Sequence, residues 1–241
     1  SGAAQDQSGE IAVQRLSHER WQSGDLETKT TATVSNATPI QLTPLPEWPV
    51  SRTLSPSDLG GAKVLSGDLG ELDEDDAKMR GTAIHLLLEH LPNMPVADRP
   101  KTAAALLATL DAGAIAADVP AVVDGILTAP HLSHLWTSPA LAEVDFTAQV
   151  GAHRFHGSID RLLITDTHVL AVDYKSNRLV PSTPDQTPEG LLRQMGAYQA
   201  SLAKIFPDHT IEVAILWTQT AQLMTLANEL TSDALNRVTV S

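Results

Sequence analysis

Two segments decide the fold: Gly157-Ser158-Ile159-Asp160-Arg161, and after a short turn Val169-Leu170-Ala171-Val172-Asp173-Tyr174-Lys175-Ser176-Asn177. Residues 154–165 and 168–175 are β-branched or alternating, and the turn-like Asp166-Thr167 between them predicts a hairpin. Asp173 and Lys175 stand two apart on the second strand, so their side chains leave the same face. Asp160 lies thirteen residues before Asp173, and hairpin pairing lets the two carboxylates meet. Two carboxylates brought together repel; a hard divalent cation, Mg²⁺ or Mn²⁺ held by oxygen ligands and water, relieves this best. A Lys beside them keeps its charge, where it can hold or activate a water and offset charge on a pentavalent phosphorane. An isolated Asp-x-Lys is usually an exposed edge pair. Here the apolar run around Asp173 places it inside the sheet, where an unpaired carboxylate is costly to bury. The layout is that of phosphodiester hydrolysis.

Outward from the hairpin, residues 143–150 read as a preceding strand. A helix at 188–206, strands at 211–218 and 221–226, and a last helix at 228–238 follow it. Upstream, Ile84, Leu87, Leu88 and Leu91 recur at helical spacing, and Pro92 closes that helix. Ala/Leu-rich helices are predicted at 98–111 and 117–129, with Pro120 near the start of the second. The expected class is α/β, a mixed sheet flanked by helices with extra helices on its N-terminal side. Gly60 to Asp76 reads as a solvated loop and an acidic helix start. Residues 1–50 read as an extension or linker, polar with Pro39, Pro44, Pro46 and Pro49 at its exit, in which Ile11–Val13 and Thr31–Val34 suit short strands. Residues 51–241 then form the working domain.

At 241 residues, with 42% hydrophobic and 4% aromatic residues, the chain can bury a core built largely of Leu, Val, Ile and Ala. Cys is absent, which excludes disulfides, Cys-ligated zinc, iron–sulfur clusters and thiol catalysis, and fits a reducing cytoplasm. No apolar run approaches the roughly 20 residues of a membrane span, so no membrane partner is expected. The start on Ser1 rather than Met reads as a piece of a longer protein. A net charge of −13 argues against a free-standing DNA-binding module, yet residues 151–205 carry six basic against five acidic side chains. Phosphate-binding Gly-x-x-x-x-Gly-Lys, Gly-x-Ser-x-Gly and His-Glu-x-x-His motifs are all missing.

Further candidates are weaker taken singly. His85, beside the Ile84/Leu88 stripe, reads alone as a structural histidine and, near a carboxylate pair, as a ligand through a neutral nitrogen. Gln194 and Tyr198 share a helix face and suit a phosphate or a stacked base as well as they suit a polar helix surface. His131, His134, His153 and His156 read as surface residues.

Gly81-Thr-Ala-Ile-His85, Gly157-Ser-Ile-Asp160, Asp173-Tyr-Lys175 and Gln194-Met-Gly-Ala-Tyr198, in this order, resemble the motif set of RecB-family nucleases of the PD-(D/E)XK superfamily. Leu45-Pro-Glu-Trp48, Arg80-Gly-Thr-Ala-Ile-His85, Asp173 to Arg178, Leu192-Arg-Gln-Met195 and Ala214-Ile-Leu-Trp-Thr218 bring the resemblance closer to the C-terminal nuclease domains of AddA-type helicase-nucleases. It spans roughly residues 45–230. The resemblance implies a restriction-endonuclease-like core in a bacterial, cytoplasmic protein. It implies that His85, Asp160, Asp173 and the main-chain carbonyl of Tyr174 bind the metal, with Asp160, Asp173 and Lys175 catalytic. Gln194 and Tyr198 would lie near the DNA path, and Arg161 and Arg178 would join them in binding or positioning DNA. Ser176 stands where Thr is commoner. The implied partners are single-stranded DNA from processed duplex ends, the helicase domains of a full-length chain, and an AddB-type subunit. Zero Cys favours the AddA side, since AddB subunits carry an iron–sulfur cluster.

The leading expectation is therefore a Mg²⁺-dependent exonuclease domain that processes double-strand ends for recombinational repair. A catalytically silent, DNA-guiding module of the same complex is the alternative, against which the retention of every motif position argues. A hydrolase of small phosphorylated molecules ranks last.

Overall fold

In the computed structural model, residues 53–66, 74–110, 113, 117–137 and 140–238 are described. The strands suggested at 11–13 and 31–34, and the extension that contains them, lie outside this range. The described elements are β1 (Thr53–Leu54), α1 (Glu74–His90), α2 (Arg99–Leu107), α3 (Val119–Thr128), β2 (Ala140–Val150), β3 (His153–Ile164), β4 (His168–Lys175), α4 (Glu189–Ile205), β5 (Thr210–Trp217), β6 (Gln222–Leu226) and α5 (Asn228–Asn236), with short 3₁₀ turns between them. No helix among them is long and apolar enough to cross a membrane.

The sheet is mixed, as its connections require. β2–β3 and β3–β4 are antiparallel hairpins, and β5–β6 is a third. β4 and β5 run parallel, because α4 carries the chain back across one face before β5 begins. The order is β1-β3-β4-β5-β6, with β2 on β3 as well. β2 pairs along most of β3, so β4 and β1 share the other edge: β4 takes Arg161 to Ile164, and β1 takes Arg154 and Phe155. Between these two pairings β3 has an unladdered stretch, and Asp160 lies at its boundary.

Each face of the sheet has its own core. On one, Ile159, Leu162, Val169 and Ala171 pack with Leu191, Met195 and Leu202 of α4 and Ala234 of α5. On the other, Leu170, Val172, Ala214 and Leu216 pack with Ile84, Leu87 and Leu88 of α1, Val123 and Ile126 of α3, and Ala103 of α2. β4 feeds both cores through alternate residues and is buried over Val169–Tyr174. The expected class, a mixed sheet flanked by helices with extra helices on the N-terminal side, is what the chain forms.

Boundaries differ little from the sequence reading. α1 ends at His90, and Leu91–Asn93 tightens into a 3₁₀ turn because Pro92 supplies no N–H for a further α-helical rung. α2 stops at Leu107, short of the expected 111. The two-residue β1 was not predicted: so short a segment has no period of its own and is strand only through its pairing with β3.

Candidate active site

The site forms where the β3–β4 ladder stops. The last paired residues are Arg161 and Val172, which sets Asp160 opposite Asp173. The Asp160 carboxylate accepts the main-chain N–H of Tyr174 at 2.5 Å through Oδ2. Its other oxygen, Oδ1, lies 3.3 Å from Nδ1 of His85. His85 reaches over from α1, and its Nε2 stands 3.1 Å from the main-chain oxygen of Tyr174. Both imidazole nitrogens thus face oxygens, and with nothing else bound the ring is best satisfied with a proton on each. Burial opposes that charge, but the hydrogen bond to Asp160 and its negative charge outweigh burial and hold His85 above the ordinary histidine range.

Asp173 belongs to a second cluster on the α4 side. It is buried, with Lys175 Nζ 2.5 Å from Oδ2 and the Gln194 side-chain amide donating to Oδ1 at 2.7 Å. The same amide nitrogen lies 2.9 Å from the Tyr198 hydroxyl, which donates to the Ser158 carbonyl at 2.8 Å. Burial pushes the Asp173 carboxyl above the usual carboxylate range; Lys175 opposes this and Asp160 adds to it.

These contacts sort the predicted residues. His85, Asp160 and the Tyr174 carbonyl come together as expected, and Asp173 and Lys175 share a face and pair. Gln194 and Tyr198 are buried and contact Asp173 and each other. Arg161 is corrected more fully: it is 1% exposed, donates through Nε to the Leu135 carbonyl at 2.8 Å and lies over the Trp136 ring. Strand alternation turns it to the opposite side from Asp160, into the α1–α3 core. Arg178 is exposed in the loop after β4.

Glu143 was missed. One ligand atom each of His85, Glu143 and Asp160 lie within 4.8 Å of one another, and Asp173 is not part of that set. Glu143 sits opposite Asp160 in the β2–β3 register, with a left-handed φ of 47° that interrupts the pairing between Ala142 and Val144. Burial and the Asp160 charge push its carboxyl up, and Ser158 donates to it at 3.3 Å. A signal existed: the turn at Gly151-Ala152 pairs Val150 with His153, and counting back from it puts residue 143 against 160.

The donor set of two carboxylates, one carbonyl oxygen and one imidazole suits a hard divalent cation. The fold and site together define a nuclease-like α/β domain with a candidate metal centre at the opening of a hairpin. Residues 65–234 match the PD-(D/E)XK nuclease superfamily, and the chain belongs to it. PD-(D/E)XK nucleases typically use divalent metals. A solved structure titled "Crystal structure of SSO0001" is similar at 11% identity, over 69% of this chain and 85% of that one, with a TM-score of 0.29. No curated protein matches the chain.

Proposed function

We propose that this chain is a Mg²⁺- or Mn²⁺-dependent deoxyribonuclease domain that hydrolyses single strands, as the C-terminal part of an AddA-type helicase-nuclease in bacterial double-strand-break repair. The observation that carries the nuclease reading is the meeting of His85, Asp160 and the Tyr174 carbonyl beside the buried Asp173–Lys175 pair. Supporting the finer reading are the motif set quoted above and the absence of Cys, which removes the iron–sulfur cluster of AddB-type subunits. Helicase domains and an AddB-type partner would deliver the strand in the cytoplasm, which fits an acidic domain that need not capture DNA unaided.

A divalent cation at this centre would supply Lewis acidity toward the scissile phosphate. His85, Asp160 and Glu143 would hold it with the Tyr174 carbonyl, and Asp173 would turn toward it from its pairing with Lys175. Lys175, released from Asp173, would hold the attacking water and offset negative charge in the transition state. Gln194 donates to Oδ1 of Asp173 and so orients the carboxylate.

Cleavage of a labelled single-stranded DNA with Mg²⁺ or Mn²⁺, comparing the parent with Asp173→Ala and Lys175→Ala, tests the nuclease reading. Loss in both variants is expected. A parent that neither cleaves nor gains thermal stability from metal would leave the silent, DNA-guiding module as the better description.

A further inference from the structure

Beside the candidate metal centre, an open groove of about 400 Å³ runs along the exposed side of α1. His85, Asp160 and Glu143 line its acidic end, Lys78 its far end, and Thr82 and Ser176 the stretch between. The two ends differ in chemistry: the first presents two carboxylates and the second an ammonium, with the Ser176 hydroxyl as a further donor between them, while the Thr82 hydroxyl donates to the Lys78 carbonyl. Lys78, Thr82 and His85 follow one another at helical spacing of four and three residues, so they form one stripe. Along that stripe Lys78 lies about 10 Å from His85 by helix rise. The Lys78 ammonium makes no ion pair among the described residues, and its side chain is exposed.

Gly81 lies between the two ends and faces the loop after β4. A Cβ there would stand 3.0 Å from the Ser176 hydroxyl oxygen, tighter than almost all real contacts. A side chain at this position would press the Ser176 hydroxyl aside by a few tenths of an ångström. The volume exceeds what a lone ion and its waters need and is of the size that holds a nucleotide unit.

Resting on the nuclease reading, we propose that this groove seats the backbone phosphate next to the one at the metal centre, with Lys78 and Ser176 as its donors. The substrate is then a strand laid along α1, read through its backbone without regard to base sequence. The acidic end would repel that strand unless a cation is bound, so occupancy of the centre and of the groove go together.

Anisotropy of a labelled (dT)20 strand with the 241-residue protein in Ca²⁺, measured against salt, tests this for Lys78→Ala, Lys78→Arg and Gly81→Val. Lys78→Ala should weaken binding about fivefold and make the salt dependence shallower by about 0.7 in log–log slope, the loss of one phosphate contact on a single strand. Lys78→Arg should restore both, and Gly81→Val should weaken binding with the melting temperature still raised by Mn²⁺. In cleavage with Mn²⁺ the same losses should appear in KM, with kcat changed by less than about twofold. Unchanged affinity and slope in Lys78→Ala overturn the groove, as does a parent that does not bind the strand. Because Lys78 is exposed, its variants test the groove even if Gly81→Val does not fold. A parent that binds with these dependences yet neither cleaves nor gains thermal stability from metal keeps the groove and removes the nuclease reading.

Discussion

The Asp160 carboxylate takes the N–H of Tyr174, 2.5 Å away, in the place where the next rung of the β3–β4 ladder would stand. A side chain substituting for a ladder bond fixes its carboxylate between two strands, within reach of a helix on one face of the sheet and near Asp173. Further along, β1 pairs with Arg154 and Phe155 on the same edge of β3.

Metal binding should depend on pH through His85. Its folded value is raised, so the His85–Asp160 pair stabilises the metal-free protein fully below the ordinary histidine value. That contribution is lost as pH rises through the raised value. A cation competes with the same proton, so the gain in melting temperature from Mn²⁺ should grow with pH over the same window. Melting curves with and without Mn²⁺ between about pH 5.5 and 8.5 read this directly. A gain independent of pH in the parent, or one still dependent on pH in His85→Gln, would remove His85 from the centre.

Glu143 separates metal binding from stability. A left-handed conformation costs a residue such as Glu about 1 kcal/mol or more, and Asn tolerates it better. Glu143→Asn should therefore melt at the parent's temperature or above it without metal, yet gain less on adding Mn²⁺. An unaltered gain would make Glu143 a bystander.

Arg161 should be structural. Arg161→Met removes the hydrogen bond to Leu135 and the contact with Trp136 from a buried position, and should cost about 1–3 kcal/mol in urea unfolding. Affinity of the folded variant for single-stranded DNA should match the parent's. Weaker binding with unchanged stability is the contrary result.

Gln194 should act through Asp173. Gln194→Leu leaves Oδ1 of Asp173 without its amide donor, so kcat should fall about tenfold with KM held. A rise in KM with kcat intact would instead make Gln194 a DNA contact.

The class of fold was legible because its signals are local. The apolar run through Val172 and the turn at Asp166-Thr167 specify the β3–β4 hairpin, and Gly157 to Asp160 and Asp173 to Lys175 announce the chemistry before any packing is known. What stayed hidden depends on register and on which side of the sheet each helix lies. Arg161 follows Asp160 directly and reads as part of the same site, yet pleating sends the two to opposite sides, and only the α1–α3 layer makes Arg161's side a dry interior. Gln194 and Tyr198 could be placed on one helix face from spacing, but the packing of α4 on the sheet is what turns that face onto Asp173. Glu143 joins His85 and Asp160 only once strand pairing puts residue 143 across from 160 and α1 folds over the end of β4. Local sequence carried the hairpin and the motif residues; tertiary structure decided which side chains meet, because strand register and helix packing bring together groups that no local spacing relates.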